Sequence, residues 1–171
     1  MFEKKESGEY VFCYKSGRVN YEKAKQICSS NNLKLVEIES EDKAKALDSI
    51  ASNDYTWIGL VCPTKTQECQ TDFNLWVWET SNIPLVKTTG WKTRFYKNGG
   101  NIYGGRNGEN CGHWWKAPGV WAPQGCTSTN YGTLCEKGTA FLIINIQTML
   151  IILLTCIEIN SVGSIPNFIH L

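Results

Sequence analysis

Cysteine offers the most chemistry in this chain. There are eight, at positions 13, 28, 62, 69, 111, 126, 135 and 156. Thiolates hold zinc, attack carbonyls or pair as disulfides, and spacing and neighbours separate the three. Zinc sites carry closely paired cysteines, often with histidine. There is no Cys-x2-Cys here, and the only histidines are His113 and His170. A nucleophile pair of Cys111 or Cys126 with His113 requires a free thiolate. No Ser-His-acid set, phosphate loop or spaced carboxylate dyad stands beside it. Eight cysteines in 171 residues is about twice ordinary usage, which points to an oxidising compartment. Cys62 and Cys69 lie seven apart, and a local bridge between them is geometrically easy.

The second chemically rich stretch runs from 90 to 126. It carries Trp91, Phe95, Tyr96, Tyr103, Trp114 and Trp115, several asparagines, and Glu109 as its only carboxylate. Aromatic faces stack on sugar rings or anchor protein interfaces. Trp91 and Trp114 are expected to pack this stretch against the domain, and Tyr103 and Trp115 to be open to a ligand. Trp57, Trp76, Trp78 and Trp121 are assigned to the core.

Elements must position these groups. All 17 Lys and Arg and 15 of the 16 acids lie before Gly138. The chain thus divides into an N-terminal extension (1–9), a charged body (10–137) and a hydrophobic tail (138–171). A net charge of +1 excludes the basic footprint of a nucleic-acid binder. An apolar content of 42% excludes a disordered chain. The run 10–14 reads as a strand. Asn20 caps a helix bearing Tyr21, Ala24, Ile27 and Cys28 on one face. Leu33, Leu35, Val36 and Ile38 suggest a strand. Ser40 caps a second helix, with Glu41 and Asp42 where the dipole favours acids and with Ala44, Leu47, Ile50 and Ala51 as its apolar stripe. Residues 57–60, 76–78 and 132–136 read as short strands, and 90–112 as a long loop. Helices early and short strands late make an α+β domain, without internal repeats.

With these motifs in order, the body resembles the C-type lectin-like domain family from about Tyr10 to Lys137. The resemblance rests on Cys13-Tyr14, on Ala24 and Cys28 in the first helix, and on Leu35-Val36-Glu37-Ile38. It continues with Trp-Ile-Gly-Leu at 57–60, Trp-x-Trp at 76–78, Cys111, Trp121 with Cys126, and Leu134-Cys135-Glu136. It implies an α+β C-type lectin-like fold, with two helices flanking short antiparallel sheets, a long loop region and disulfide bracing. It also implies the pairs Cys28–Cys135 and Cys111–Cys126; together with the local Cys62–Cys69 bridge, this leaves Cys13 over. Bridged, Cys111 and Cys126 have no thiolate to give, so no enzyme is expected.

Family members that bind sugar do so through calcium. The resemblance places the ligands on a Glu-Pro-Asn, on a Glu just before the loop cysteine, and on the Asn-Asp after a Trp. Calcium needs about six to eight oxygens, mostly carboxylate and amide. Counted back from Cys111, Asn101, Ile102 and Tyr103 fall on the first motif, and Ala122 and Pro123 fall on the last. Glu109 is the only position retained intact, so no metal site is assigned. Calcium is at most a weak cofactor, and Glu109 and Asn110 are expected on a solvated loop edge. Asn101, Tyr103, Glu109, Asn110 and Trp115 remain the candidate ligand contacts.

The expected function is extracellular, secreted or membrane-anchored recognition of a glycan or protein partner, without nucleic acid. Two alternatives stand beside it: a calcium-dependent lectin, and a protein–protein adhesion or receptor module without a glycan ligand. No signal peptide opens the chain, whose charged start reads as a truncated N-terminus. Residues 140–157 are apolar and just long enough to span a bilayer, but no Lys or Arg follows them. A membrane span and read-through of non-coding sequence both stay open for the tail, with Cys156 unpaired in either case.

Overall fold

A computed structural model describes residues 1–50, 55–88, 97–98, 101–102, 108–115 and 120–138. Strand β1 (Glu3–Ser7) turns back at Gly8, where φ is +59°, into β2 (Tyr10–Val19), and the two pair antiparallel. The 1–9 segment, expected as an extension, is thus the outer strand of a hairpin. Helix α1 (Tyr21–Ser29) begins where the Asn20 side chain accepts the Lys23 N–H at 2.9 Å, and buries Tyr21, Ala24 and Cys28. It ends into Asn32, whose φ of 56° suits asparagine. Helix α2 (Glu41–Ile50) begins where Ser40 Oγ accepts the Lys43 N–H at 3.2 Å, and buries Ala44 and Leu47. Of its expected stripe, Ala51 lies outside the described residues.

Between the helices, β3 is only Lys34–Leu35, shorter than the strand expected over Leu33 to Ile38. It stops short of a buried carboxylate. Glu37 is fully enclosed and accepts hydrogen bonds from Lys34 Nζ (2.7 Å) and from the Thr80 and Ser81 N–H groups. Burial raises the Glu37 pKa, but Lys34 and the two backbone donors more than offset that and hold it below the usual range. The Glu37 N–H donates to Glu136 (2.9 Å), which also meets Lys43 Nζ at 2.6 Å.

The remaining strands are β4 (Thr56–Val61), β5 (Val77–Trp78), β6 (Lys97–Asn98), β7 (Asn101–Ile102), β8 (Cys111–Trp115), β9 (Val120–Gln124) and β10 (Tyr131–Glu136). The main sheet runs β1-β2-β10-β4-β8-β9, with β3 beside β10 and β5 beside β4; β6 and β7 form a separate hairpin. Antiparallel pairing was expected, but the sheet is mixed: β10 lies parallel to β4. The loop expected over 90–112 gives way at Cys111 to β8.

Side chains alternate across this sheet, as strand geometry requires. One face packs Ile58, Leu60, Trp114, Trp121 and Leu134 with Phe12, Val36, Ile38, Leu47, Trp76 and Trp78. The other packs Trp57, Val61, Cys111, Tyr131 and Cys135 with Tyr21, Ala24 and Cys28 of α1. Disulfides join Cys28 to Cys135, Cys62 to Cys69 and Cys111 to Cys126. Cys13 is also disulfide-bonded, which corrects the expectation that it is left over. Cys156 lies outside the described residues, as does the rest of 139–171. Among the described residues, no helix is long and apolar enough to cross a membrane.

Candidate functional site

Beside the α1 face, where β4, β8, β9 and β10 meet, a cleft of about 200 Å³ opens between Tyr55, Glu109, His113, Trp115, Ala122, Pro123, Gln124 and Tyr131. Strand period puts His113 and Trp115 of β8 on one face, and the register sets His113 opposite Ala122. Tyr55 stands just ahead of β4, 44% exposed, its carbonyl accepting the Gly132 N–H at 2.9 Å. Trp57 closes the back of the site. It is fully buried and donates its indole N–H to the Val19 carbonyl at 2.8 Å.

The rings pack on one another edge-on or tilted rather than stacked. Tyr55 lies 5.9 Å from His113, 5.8 Å from Trp115 and 6.0 Å from Tyr131, at interplanar angles of 64°, 45° and 73°. His113 and Tyr131 are 4.7 Å apart, and Trp57 packs on Tyr131 at 4.5 Å. Gln124 Nε2 donates to the Tyr131 hydroxyl, and Gln124 Oε1 accepts the Gly125 N–H at 3.0 Å. Burial lowers the His113 pKa to about 4, against a hydrogen bond to the Ala122 backbone that favours the charged ring. The imidazole is therefore neutral at physiological pH, and its Nδ1 is buried without a partner. Burial raises the Tyr131 phenol, and the negative charge of Glu109 adds to the rise.

The expected ligand contacts divide. Glu109 and Trp115 line the cleft. Asn110 does not. It is 5% exposed and its carbonyl accepts the Cys62 N–H at 2.9 Å, which corrects the expectation of a solvated edge. Asn101 sits in the β6–β7 hairpin, paired with Asn98. Tyr103 lies outside the described residues, as do Trp91, Phe95 and Tyr96. Trp114 is packed into the core at 2% exposure. Tyr55, His113 and Tyr131 were missed as partners because 18 or more residues separate them in sequence. Their only advance signal was that each begins or lies in a short apolar run.

Among the described residues, the expected calcium-ligand positions in the cleft supply one carboxylate, Glu109. Glu109, Ala122 and Pro123 meet at one cleft, but Ala122 and Pro123 carry no side-chain oxygen. Among the described residues, no group of three or more His, Cys, Asp or Glu is placed to hold a metal. Cys111 and Cys126 are bonded to each other, so neither offers His113 a thiolate.

The sequence profile of the family described as "Lectin C-type domain" matches residues 17–137. The chain belongs to the C-type lectin domain family. Solved structures of similar fold include the carbohydrate-recognition domain of mouse scavenger receptor C-type lectin. It is 20% identical with a TM-score of 0.58, over 79% of this chain and 96% of that one. A calcium-independent type II antifreeze protein is 17% identical with a TM-score of 0.58, over 79% and 91%. The cow C-type carbohydrate-recognition domain of CD23, solved in the presence of a GlcNAc2Man3 oligosaccharide, is 21% identical with a TM-score of 0.57, over 78% and 92%. At these identities the likeness is one of fold. This C-type lectin domain therefore shares its fold with carbohydrate-recognition domains and with a calcium-independent antifreeze protein.

Proposed function

We propose that this C-type lectin domain is a non-enzymatic extracellular recognition module that binds a glycan or protein ligand at the aromatic cleft, without the family's calcium-dependent sugar site. One observation carries the reading. The positions where the resemblance puts calcium ligands beside β8 and β9 line a cleft walled by Tyr55, His113, Trp115 and Tyr131. A site that would hold an ion through oxygens presents ring faces instead. The calcium-independent antifreeze protein supports the idea that this frame serves recognition without the ion. The disulfides support an oxidising, extracellular setting.

The test is a glycan array with and without chelator, beside thermal melts in 5 mM calcium and in chelator. A single carboxylate offsets little of the ion's dehydration, so calcium affinity no better than about 10⁻³ M is expected. Such a site adds at most about 1 kcal/mol at 5 mM calcium. Chelation should therefore leave binding unchanged and lower the melting point by no more than a few degrees. A rise of many degrees with calcium, abolished in Glu109→Gln, would restore the calcium-dependent lectin.

A further inference from the structure

We propose that Cys13 is bonded to Cys156, so that the hydrophobic tail is stapled back onto the outer hairpin of the domain. Such a staple is independent of what the cleft binds. Cys13 is disulfide-bonded and only 2% exposed. The chain holds eight cysteines. Six are taken, in Cys28–Cys135, Cys62–Cys69 and Cys111–Cys126. The count leaves Cys156 as the one sulfur of this chain that Cys13 can have. The strands beside Cys13 offer no other. On β1 the residue opposite it is Lys4, which has no sulfur. On β10 it is Cys135, which is committed to Cys28. The partner therefore comes from outside the sheet.

The root of the tail is well placed for this. Strand β10 ends at Glu136, opposite Phe12 of β2, and Cys135 is opposite Cys13 itself. The chain thus leaves the sheet one register position from the cysteine it must return to. Twenty-one residues separate Cys135 from Cys156, an extended reach of about 70 Å. Closing a segment of that length puts two thiols at an effective concentration on the order of millimolar. The bond forms by exchange with a disulfide carrier of an oxidising compartment, a dithiol oxidoreductase or glutathione. One cysteine thiolate attacks the carrier disulfide and expels a thiolate. The second cysteine thiolate then attacks the mixed disulfide and expels the other. The two cysteines lose two protons and two electrons, and the carrier leaves as two thiols. A membrane span over 140–157 and this bond exclude each other. At 1.5 Å per helical residue, Cys156 would stand about 24 Å beyond residue 140, across the bilayer from Cys13. The staple keeps the apolar tail on the same side as the domain.

The experiment is a peptide map of the full chain, made through a secretory pathway and taken from medium and membrane fractions alike. Free thiols are alkylated in denaturant at acid pH, and the chain is cut after lysine without reductant. Cuts at Lys5, Lys15 and Lys137 release segments 6–15 and 138–171, each with a single cysteine, and the tail holds no further Lys. The two segments should travel as one cross-linked species that reductant separates, with neither Cys13 nor Cys156 alkylated. In Cys156→Ser, segment 6–15 should lose that link while Cys28–Cys135, Cys62–Cys69 and Cys111–Cys126 persist. Recovery of segment 138–171 alone with Cys156 alkylated would overturn the staple and reopen the span. So would segment 6–15 joined to any other cysteine or to a second copy of itself. Neither result touches the aromatic cleft, whose own test is the glycan array.

Discussion

His113 is held neutral by burial, at about 4, beside Tyr55, Tyr131 and Trp57. Its folded pKa lies below the usual value of about 6.5 for a free imidazole. The unfolded chain therefore binds a proton that the folded chain refuses. The stability from this group is complete above pH 6.5 and is lost as pH falls toward 4. At about 1.4 kcal/mol per pH unit, the loss approaches roughly 3 kcal/mol over that window. Urea midpoints measured at pH 7 and pH 4.5 should fall much further for wild type than for His113→Gln. Equal slopes would mean that the ring is not shielded as described. The carboxylates do not mimic this difference, because Glu37, pushed down, and Glu136, pushed up by burial, are common to both proteins. Nothing near His113 in sequence announced this role; it followed only when strands distant in the chain enclosed the ring.

Strands β4 and β8 approach so closely that the glycine between them is obligatory. A Cβ added at Gly112 would stand 2.6 Å from Leu60 Cβ, well inside contact distance, and the clash is with the root of a core side chain. Gly112→Ala should cost about 1–3 kcal/mol, the usual scale for overpacking, read as a lowered denaturant midpoint at unchanged slope. An unshifted midpoint would mean that the sheet gives way at this crossing. At this scale the sequence was legible where apolar residues were dense. Trp57, Trp76, Trp78 and Trp121 are all fully buried, and both helix starts follow their capping residues. It was illegible where pairing alone makes the strand. β1, Glu-Lys-Lys-Glu-Ser, has no apolar residue and exists because β2 folds back on it. β9 contains Pro123, which argues against a strand. The objection fails because β9 is the outermost strand beyond β8, where a missing N–H costs least.

At the scale of the molecule, Cys28–Cys135 spans a sequence separation of 107 and joins α1 to the central strand. On the chain-entropy account, a loop of that length is worth roughly 4–5 kcal/mol. Cys28→Ala/Cys135→Ala should lose stability on that scale, whereas Cys62→Ala/Cys69→Ala, closing a loop of seven, should lose clearly less. Melting curves of the two double variants decide it, and equal losses would show that loop length does not govern here. The frame could be read from the chain because its motifs keep their order. The cleft could not, since Tyr55, His113 and Tyr131 become neighbours only after β4, β8 and β10 align.

The position of β10 sets the order in which the protein can be made. It is the last of the described strands in sequence and lies between β2 and β4 in the sheet. A ribosome adding about 5–20 residues per second delivers Cys135 roughly 5–20 s after Cys28. Through that interval both neighbours of β10 wait with open edges, and the thiol of Cys28 waits without its mate. Cys62 and Cys69 emerge within about a second of each other and can close first. The nascent chain is thus most exposed to mispairing and aggregation just before its centre is inserted.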